Sequence, residues 1–197
     1  MRILLIGASG HVGSAAAAAL RPRHELIEAG RTSTPAVDIT DEASITALLD
    51  ATGNVDAIIV AAGSVPFRPL EQLTRDDYLA AFTGKVLSQL DVVRLGLPYL
   101  SDGGSLTLTS GVLARDAIAT GAAASMANGA LEAYVMAAAP ELPRSIRINA
   151  VSPGVLAEAT GYHDAFAGFP QVTDDEVGRA YVRAVEGVGT GRVIEVG

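Results

Sequence analysis

The chain has 197 residues, enough for one domain or one and a fragment, and enough to bury a core without covalent staples. Acidic residues outnumber basic ones by 22 to 14, for a net charge of −8, which argues against a nucleic-acid partner because that needs a basic footprint. There is no cysteine, so a disulfide scaffold, a thiolate zinc site and a cysteine nucleophile are excluded.

The hydrophobic fraction of 49% is inflated by 35 alanines, and only 5% of residues are aromatic. Alanine buries little area and lets backbones approach, so closely spaced helices are expected rather than a bulky core. No run approaches the ~20 apolar residues that span a bilayer. Arg2, an apolar run and Ala15–Ala19 have the outline of a signal peptide, but three glycines and His11 interrupt it. The expectation is a cytoplasmic chain with no membrane partner.

In chain order, Ile3–Ile6 reads as a strand buried on both faces, followed by an alanine-rich helix over His11–Leu20. His24–Ala29 is a second strand closed by Gly30. Asp38-Ile39-Thr40-Asp41 reads as the end of a short third strand running into a helix cap, with a helix over Glu42–Leu49. Val55–Ala61 is a strand, and Arg75–Leu97 a long helix with Val86, Leu90, Val93 and Leu97 on one face. Then come a strand over Ser105–Thr109, a helix over Gly121–Ala139 whose only charge is Glu132, and a strand over Ile146–Val151. A helix over Thr173–Val185 and a strand over Arg192–Val196 close the chain. Strands alternating with helices imply a parallel α/β sheet, in a single domain over 1–197. Only Arg31–Val37 separates the second strand from the third, too little for a parallel crossover, so that third strand should be short, at an edge, or irregular.

Gly7-Ala8-Ser9-Gly10-His11-Val12-Gly13 follows a strand and opens a helix, the context in which three glycines carry meaning. The turn lets backbone approach a pyrophosphate, and the helix start offers it unpaired N–H groups, with Ser9 as a further donor. The bland alternative is a plain glycine-rich turn. After the second strand comes Gly30-Arg31-Thr32-Ser33. An acidic residue there would bind a ribose 2′-hydroxyl, whereas a guanidinium with two hydroxyls suits a 2′-phosphate. The reading is a preference for NADP(H), against the alternative of a solvated turn arginine.

The chain resembles the short-chain dehydrogenase/reductase family over essentially its whole length. The likeness rests on Gly7, Gly10 and Gly13, on Asp38-Ile39-Thr40, on Ala61-Ala62-Gly63 and on Thr109-Ser110. Asn149-Ala150-Val151-Ser152-Pro153-Gly154 and the tail Thr190–Val196 add to it. It implies a doubly wound, Rossmann-like α/β parallel sheet of about seven strands, with Asp38 and Ile39 beside the adenine and Pro153, Gly154 and Val155 beside the nicotinamide of a bound cofactor. Residues 155–173 would form a substrate loop. Family members usually assemble through the two long helices, implying a homodimer or homotetramer here.

The family normally uses a serine, a tyrosine and a lysine four residues beyond the tyrosine. Ser110 matches the serine. The chain's only lysine is Lys85, with Ala81 four residues before it, so the tyrosine–lysine pair is missing. Aligning on Ala130-Leu131-Glu132 puts Ala124 at the tyrosine position and Asn128 at the lysine position, where Asn128 would keep a ribose contact. Thr83 matches the family's helical asparagine. Lys85, two residues further on, would then turn about 200° around an α-helix, away from the site. Substitute proton carriers are Tyr162 and His163 in the substrate loop, His163 having the right unperturbed range near neutrality; an exposed loop histidine is the bland alternative. Arg115 and Asp116 either line the cleft or form a loop ion pair. The three histidines lack ligand spacing, so no metal is expected. The implied function is an NADP(H)-dependent oxidoreductase acting on a small carbonyl or alcohol with an atypical proton donor. The alternatives are a catalytically silent NADP(H)-binding sensor or partner subunit, and a lyase or cyclase reusing the pocket.

Overall fold

The computed structural model describes residues 1–197. Strand β1 (Arg2–Ile6) leads into helix α1 (His11–Leu20), then β2 (Glu25–Ala29), α2 (Glu42–Thr52) and β3 (Val55–Val60). A helical stretch follows as α3 (Arg75–Ala81), a π-helical segment (Phe82–Leu87) and α4 (Ser88–Gly96). Next are β4 (Leu100–Thr109), α5 (Ala122–Ala138), β5 (Arg147–Pro153), the short β6 (Val155–Leu156) and β7 (Gln171–Val172), α6 (Asp174–Glu186) and β8 (Arg192–Val196).

Six strands form one parallel sheet in the order β2-β1-β3-β4-β5-β8, and β6 pairs with β7 separately. Alternate residues of the central strands serve opposite faces. Ile3, Leu5 and Ile59 pack toward α1 and α6, with Tyr181 and Ala16, while Leu4, Ile6, Ile58 and Val60 pack toward α2, α4 and α5, with Leu49, Val93 and Leu131. Both faces are therefore covered, which is why these strands read as continuous apolar runs. The small residues permit the close approach expected of them: a Cβ on Gly178 of α6 would stand 2.7 Å from the Ala19 methyl of α1.

The third strand expected near Asp38 does not form, and the main sheet has six strands. After Gly30 the chain makes only an isolated bridge to Ala36, with Val37 N–H bonded to the Gly30 carbonyl. Seven residues leave no room for a crossover helix, and Pro35 has no N–H to offer a ladder. Val37 and Ile39 are buried instead, and Asp41 caps α2 by accepting from Ala43 N–H.

The long helix over 75–97 is interrupted rather than continuous. The loop after β3 presses on it at Gly84, whose carbonyl accepts from Ser64 N–H at 3.0 Å and from the Ser88 hydroxyl at 3.1 Å. The Gly84 carbonyl is thus engaged from outside the helix at the turn that widens into the π segment.

The strand order reverses at β1, so a crevice opens over the carboxyl ends of β1 and β3, where ligands of doubly wound sheets bind.

Candidate active site

Two cavities of about 410 Å³ each open along that crevice, and Gly10, Ala61, Ala62 and Gly63 line both. The first lies over the β1–α1 turn and the end of β2. The second extends toward β4 and β5, so the two make one continuous groove.

The β1–α1 turn is closed by contacts only glycine allows. Gly7 has φ +92°, and a Cβ there would stand 2.5 Å from the Ala61 carbonyl oxygen; one on Gly13 would stand 2.0 Å from the Gly7 carbonyl oxygen. Gly10 caps α1 without any side-chain hydrogen bond, so the first N–H groups of the helix stay free toward the groove. Gly7, Ser9, Gly10, Arg31, Thr32, Asp38 and Ile39 line the first cavity. Asp38 accepts from Thr40 Oγ1 at 2.7 Å and Thr40 N–H at 2.9 Å, bonds that together with nearby Arg31 hold its carboxyl below the usual range. Ser33 lies outside the lining, yet its hydroxyl and that of Ser9 both gather at Gly30, 3.1 Å and 3.9 Å from where a Cβ would be. Gly13 is buried within α1 and shapes the turn from behind.

The second cavity holds His11, Val12, Ser110, Asn128, Pro153, Gly154, Val155 and Tyr162. Its walls are apolar, with Phe67, Leu113, Leu156 and Phe166. Asn128 is 4% exposed and its Oδ1 has no partner in the protein, an orphaned acceptor at the groove. His163 does not line either cavity: one ring nitrogen bonds the Leu156 carbonyl at 3.1 Å and the other bonds Gln171 at 3.2 Å, tying the 160–166 turn to β6 and β7. Of the three catalytic candidates, Ser110 and Tyr162 face the groove and His163 does not.

Ser110 is part of a network the sequence does not announce. Its hydroxyl donates to Glu132 Oε1 at 2.7 Å. Arg115 donates to both oxygens of Glu132 at 2.8 Å and to the Ser152 hydroxyl at 2.8 Å, and pairs with Glu195 at 3.5 Å. Arg115 is thus an ion-pair residue behind the groove. The signal for Glu132 was its standing as the only charge on an otherwise apolar helix.

Lys85 corrects the helical-wheel expectation. It does not turn away; it lines the second cavity, and its Nζ donates to the Ser110 carbonyl at 3.0 Å. Lys85 sits within the π segment, and its stem passes Gly63, where a Cβ would stand 3.0 Å from Lys85 Cγ, to reach the end of β4. Burial pushes its amine down from the ordinary 10.5 to about 8, with the charge of Glu132 opposing the fall.

A family model described as enoyl-(acyl carrier protein) reductase matches residues 11–188. The chain belongs to the short-chain dehydrogenase/reductase family. The solved structure of lin1944 from Listeria innocua is 45% identical, with both chains covered in full and a TM-score of 0.98. A small-chain dehydrogenase solved in complex with NADPH is 27% identical, at a TM-score of 0.86 over 100% of this chain and 96% of that one. An uncharacterised oxidoreductase of Methylorubrum extorquens is 36% identical over 110 residues, 55% of this chain and 44% of that protein. The chain spans less than two thirds of the curated relatives it matches, reaching 64% of a hydroxynaphthalene reductase-like protein of Metarhizium brunneum.

Proposed function

We propose that the protein is an NADP(H)-dependent oxidoreductase acting on a small carbonyl or alcohol. The observation that carries this reading is the continuous groove: a glycine turn and uncapped helix start at one end, an apolar pocket with a polar floor at the other. The residues fit the dinucleotide. The Gly7–Gly13 turn and α1 N-terminus suit a pyrophosphate. Arg31, with Thr32, Ser33 and Ser9, suits a 2′-phosphate, and the orphaned Asn128 Oδ1 suits a ribose hydroxyl donor. Asp38 and Ile39 would flank the adenine, and Pro153, Gly154 and Val155 the nicotinamide. The bound dinucleotide supplies or accepts hydride; the chain's own residues orient the substrate and handle the proton.

Residues 155–173 form the substrate loop in this reading, with Tyr162 and Phe166 on the pocket wall. Ser110 sits at the pocket floor and is held in place by Glu132. The NADPH complex of the small-chain dehydrogenase supports the cofactor assignment, while a chloroplast enoyl-(acyl carrier protein) reductase of Arabidopsis thaliana, 32% identical over 145 residues, carries NADH in its name. Arg31 favours the phosphorylated form. Self-association runs through the long helices: Leu79 is 50% exposed, Phe82 39% and Met126 37%, and they form one apolar surface with Tyr78.

The test is a panel of small aldehydes and ketones followed by NADPH absorbance, with a parallel binding titration. Oxidation of NADPH by some of the panel is expected. Tight binding with no turnover across a broad panel contradicts the enzyme reading and favours a silent NADP(H)-binding subunit.

A further inference from the structure

The one lysine of the chain occupies the end of the groove where the family's tyrosine–lysine pair is missing. Lys85 is half-buried in the π segment, and room for its stem is made by Gly63, where a Cβ would stand 3.0 Å from Lys85 Cγ. It makes one hydrogen bond within the protein, to the Ser110 carbonyl. An ammonium carries three donors, so two remain for a molecule in the pocket. The neighbouring polar groups are not equivalent to it. The Ser110 hydroxyl proton is committed to Glu132 at 2.7 Å, and the free atom of Asn128 is an acceptor.

We infer that Lys85 is the proton donor of the site, passing a proton from Nζ to the oxygen of a small, apolar-bodied carbonyl substrate held over Ser110. The inference rests on the oxidoreductase reading above. Hydride supplied by the reduced dinucleotide, itself oxidised in the exchange, would add to the carbonyl carbon. The C=O π pair moves to oxygen, the Lys85 Nζ–H bond breaks and an O–H bond forms. The alcohol leaves, and the neutral amine regains its proton from water in the groove. In the reverse direction the amine takes the alcohol proton.

The groups facing Lys85 set its acidity. From α5 come Glu132, itself paired with Arg115, and the uncharged Asn128; from the end of β4 comes Ser110; from the loop after β3 comes Gly63. Burial brings the amine to about 8, so it is protonated at neutral pH yet releases a proton readily, the condition an efficient general acid needs.

A single lysine makes the test direct, because lysine isotopically labelled at Cε gives one side-chain resonance. In cofactor-free protein its titration midpoint is expected near 8, and a midpoint at the ordinary 10.5 overturns the assignment. Lys85→Arg keeps the charge and the contact to the Ser110 carbonyl but releases no proton at working pH. It should bind NADPH as wild type does and reduce the carbonyl ~10²–10⁴-fold more slowly. Lys85→Met should be as slow, and the wild-type rate should fall as pH rises through about 8. Wild-type turnover in Lys85→Arg overturns the lysine assignment and leaves the oxidoreductase reading standing. Failure of wild type to bind NADPH overturns both. Where a variant does not fold, the wild-type pH–rate profile and the labelled titration should share one midpoint, and separate midpoints overturn the assignment.

Discussion

Replacing Glu132 with glutamine tests the polar network under the groove. The carboxylate accepts from the Ser110 hydroxyl at 2.7 Å and from Arg115 through both oxygens at 2.8 Å, and its side chain is 13% exposed. Glutamine keeps the shape but turns one acceptor into a donor, which must face either Arg115 or Ser110. Charge-assisted hydrogen bonds contribute ~1.5–3 kcal/mol each where water is excluded. Arg115 is a third exposed and keeps Ser152 and Glu195, so water and those partners recover part of the loss. A net cost of about 2 kcal/mol follows, or a fall in Tm of roughly 4–8 °C for a chain of this size. The same change removes the charge that holds the Lys85 amine up, so its midpoint should move below about 8. Thermal unfolding by circular dichroism reads the first effect, and the single lysine resonance reads the second. An unchanged Tm with an unmoved lysine midpoint would refute this description of the network.

Gly13→Ala drives a methyl to 2.0 Å from the Gly7 carbonyl oxygen, against backbone that cannot yield without moving the turn. It should cost ~1–3 kcal/mol or more in urea unfolding and abolish dinucleotide binding. Gly129→Ala, with open space around the added methyl, should be neutral or stabilise by up to ~1 kcal/mol. Lys85 also predicts a pH dependence of stability. Its folded value of about 8 lies below the ordinary 10.5, so between those limits the unfolded chain binds more protons and stability rises with pH. The cost of burying the ammonium is fully present below pH 8. Going from pH 7 to pH 10 should therefore shift the stability difference between wild type and Lys85→Met toward wild type, by on the order of 2 kcal/mol. A constant difference in paired urea titrations would show that the amine is not perturbed. Leu79→Glu should lower the mass seen by light scattering, with the far-ultraviolet spectrum unchanged, if the α3–α5 face joins two copies.

Much of this architecture is legible in local pattern. The β1–α1 turn is readable because the glycines, the preceding apolar run and the following alanine helix lie within twenty residues, and the structure closes that turn by Gly7 and Gly13. The order of strands and helices follows from apolar runs and caps, as with Thr173 and Glu176 forming a capping box for α6. The failures are non-local. Nothing in the periodicity of 75–97 announces the π segment, where Ser64, twenty residues away, reaches the Gly84 carbonyl. Nor does periodicity place Lys85, whose partners Gly63 and Ser110 come from the ends of other strands. The Ser110–Glu132 bond likewise joins residues 22 apart, on a strand end and a helix, and only the isolation of Glu132 on an apolar helix hinted at it. His163 had the right chemistry by type, but both its ring nitrogens are engaged in holding its own loop.

Calorimetric titration of the wild-type protein with NADPH and with NADH, repeated on Arg31→Ala, measures what all of this depends on. An exposed arginine helped by hydroxyls should favour the phosphorylated dinucleotide by roughly tenfold or more, and the alanine variant should lose that margin while still binding NADH. Equal affinities in the wild type would contradict the role given to Arg31, and no binding of either dinucleotide would contradict the groove itself.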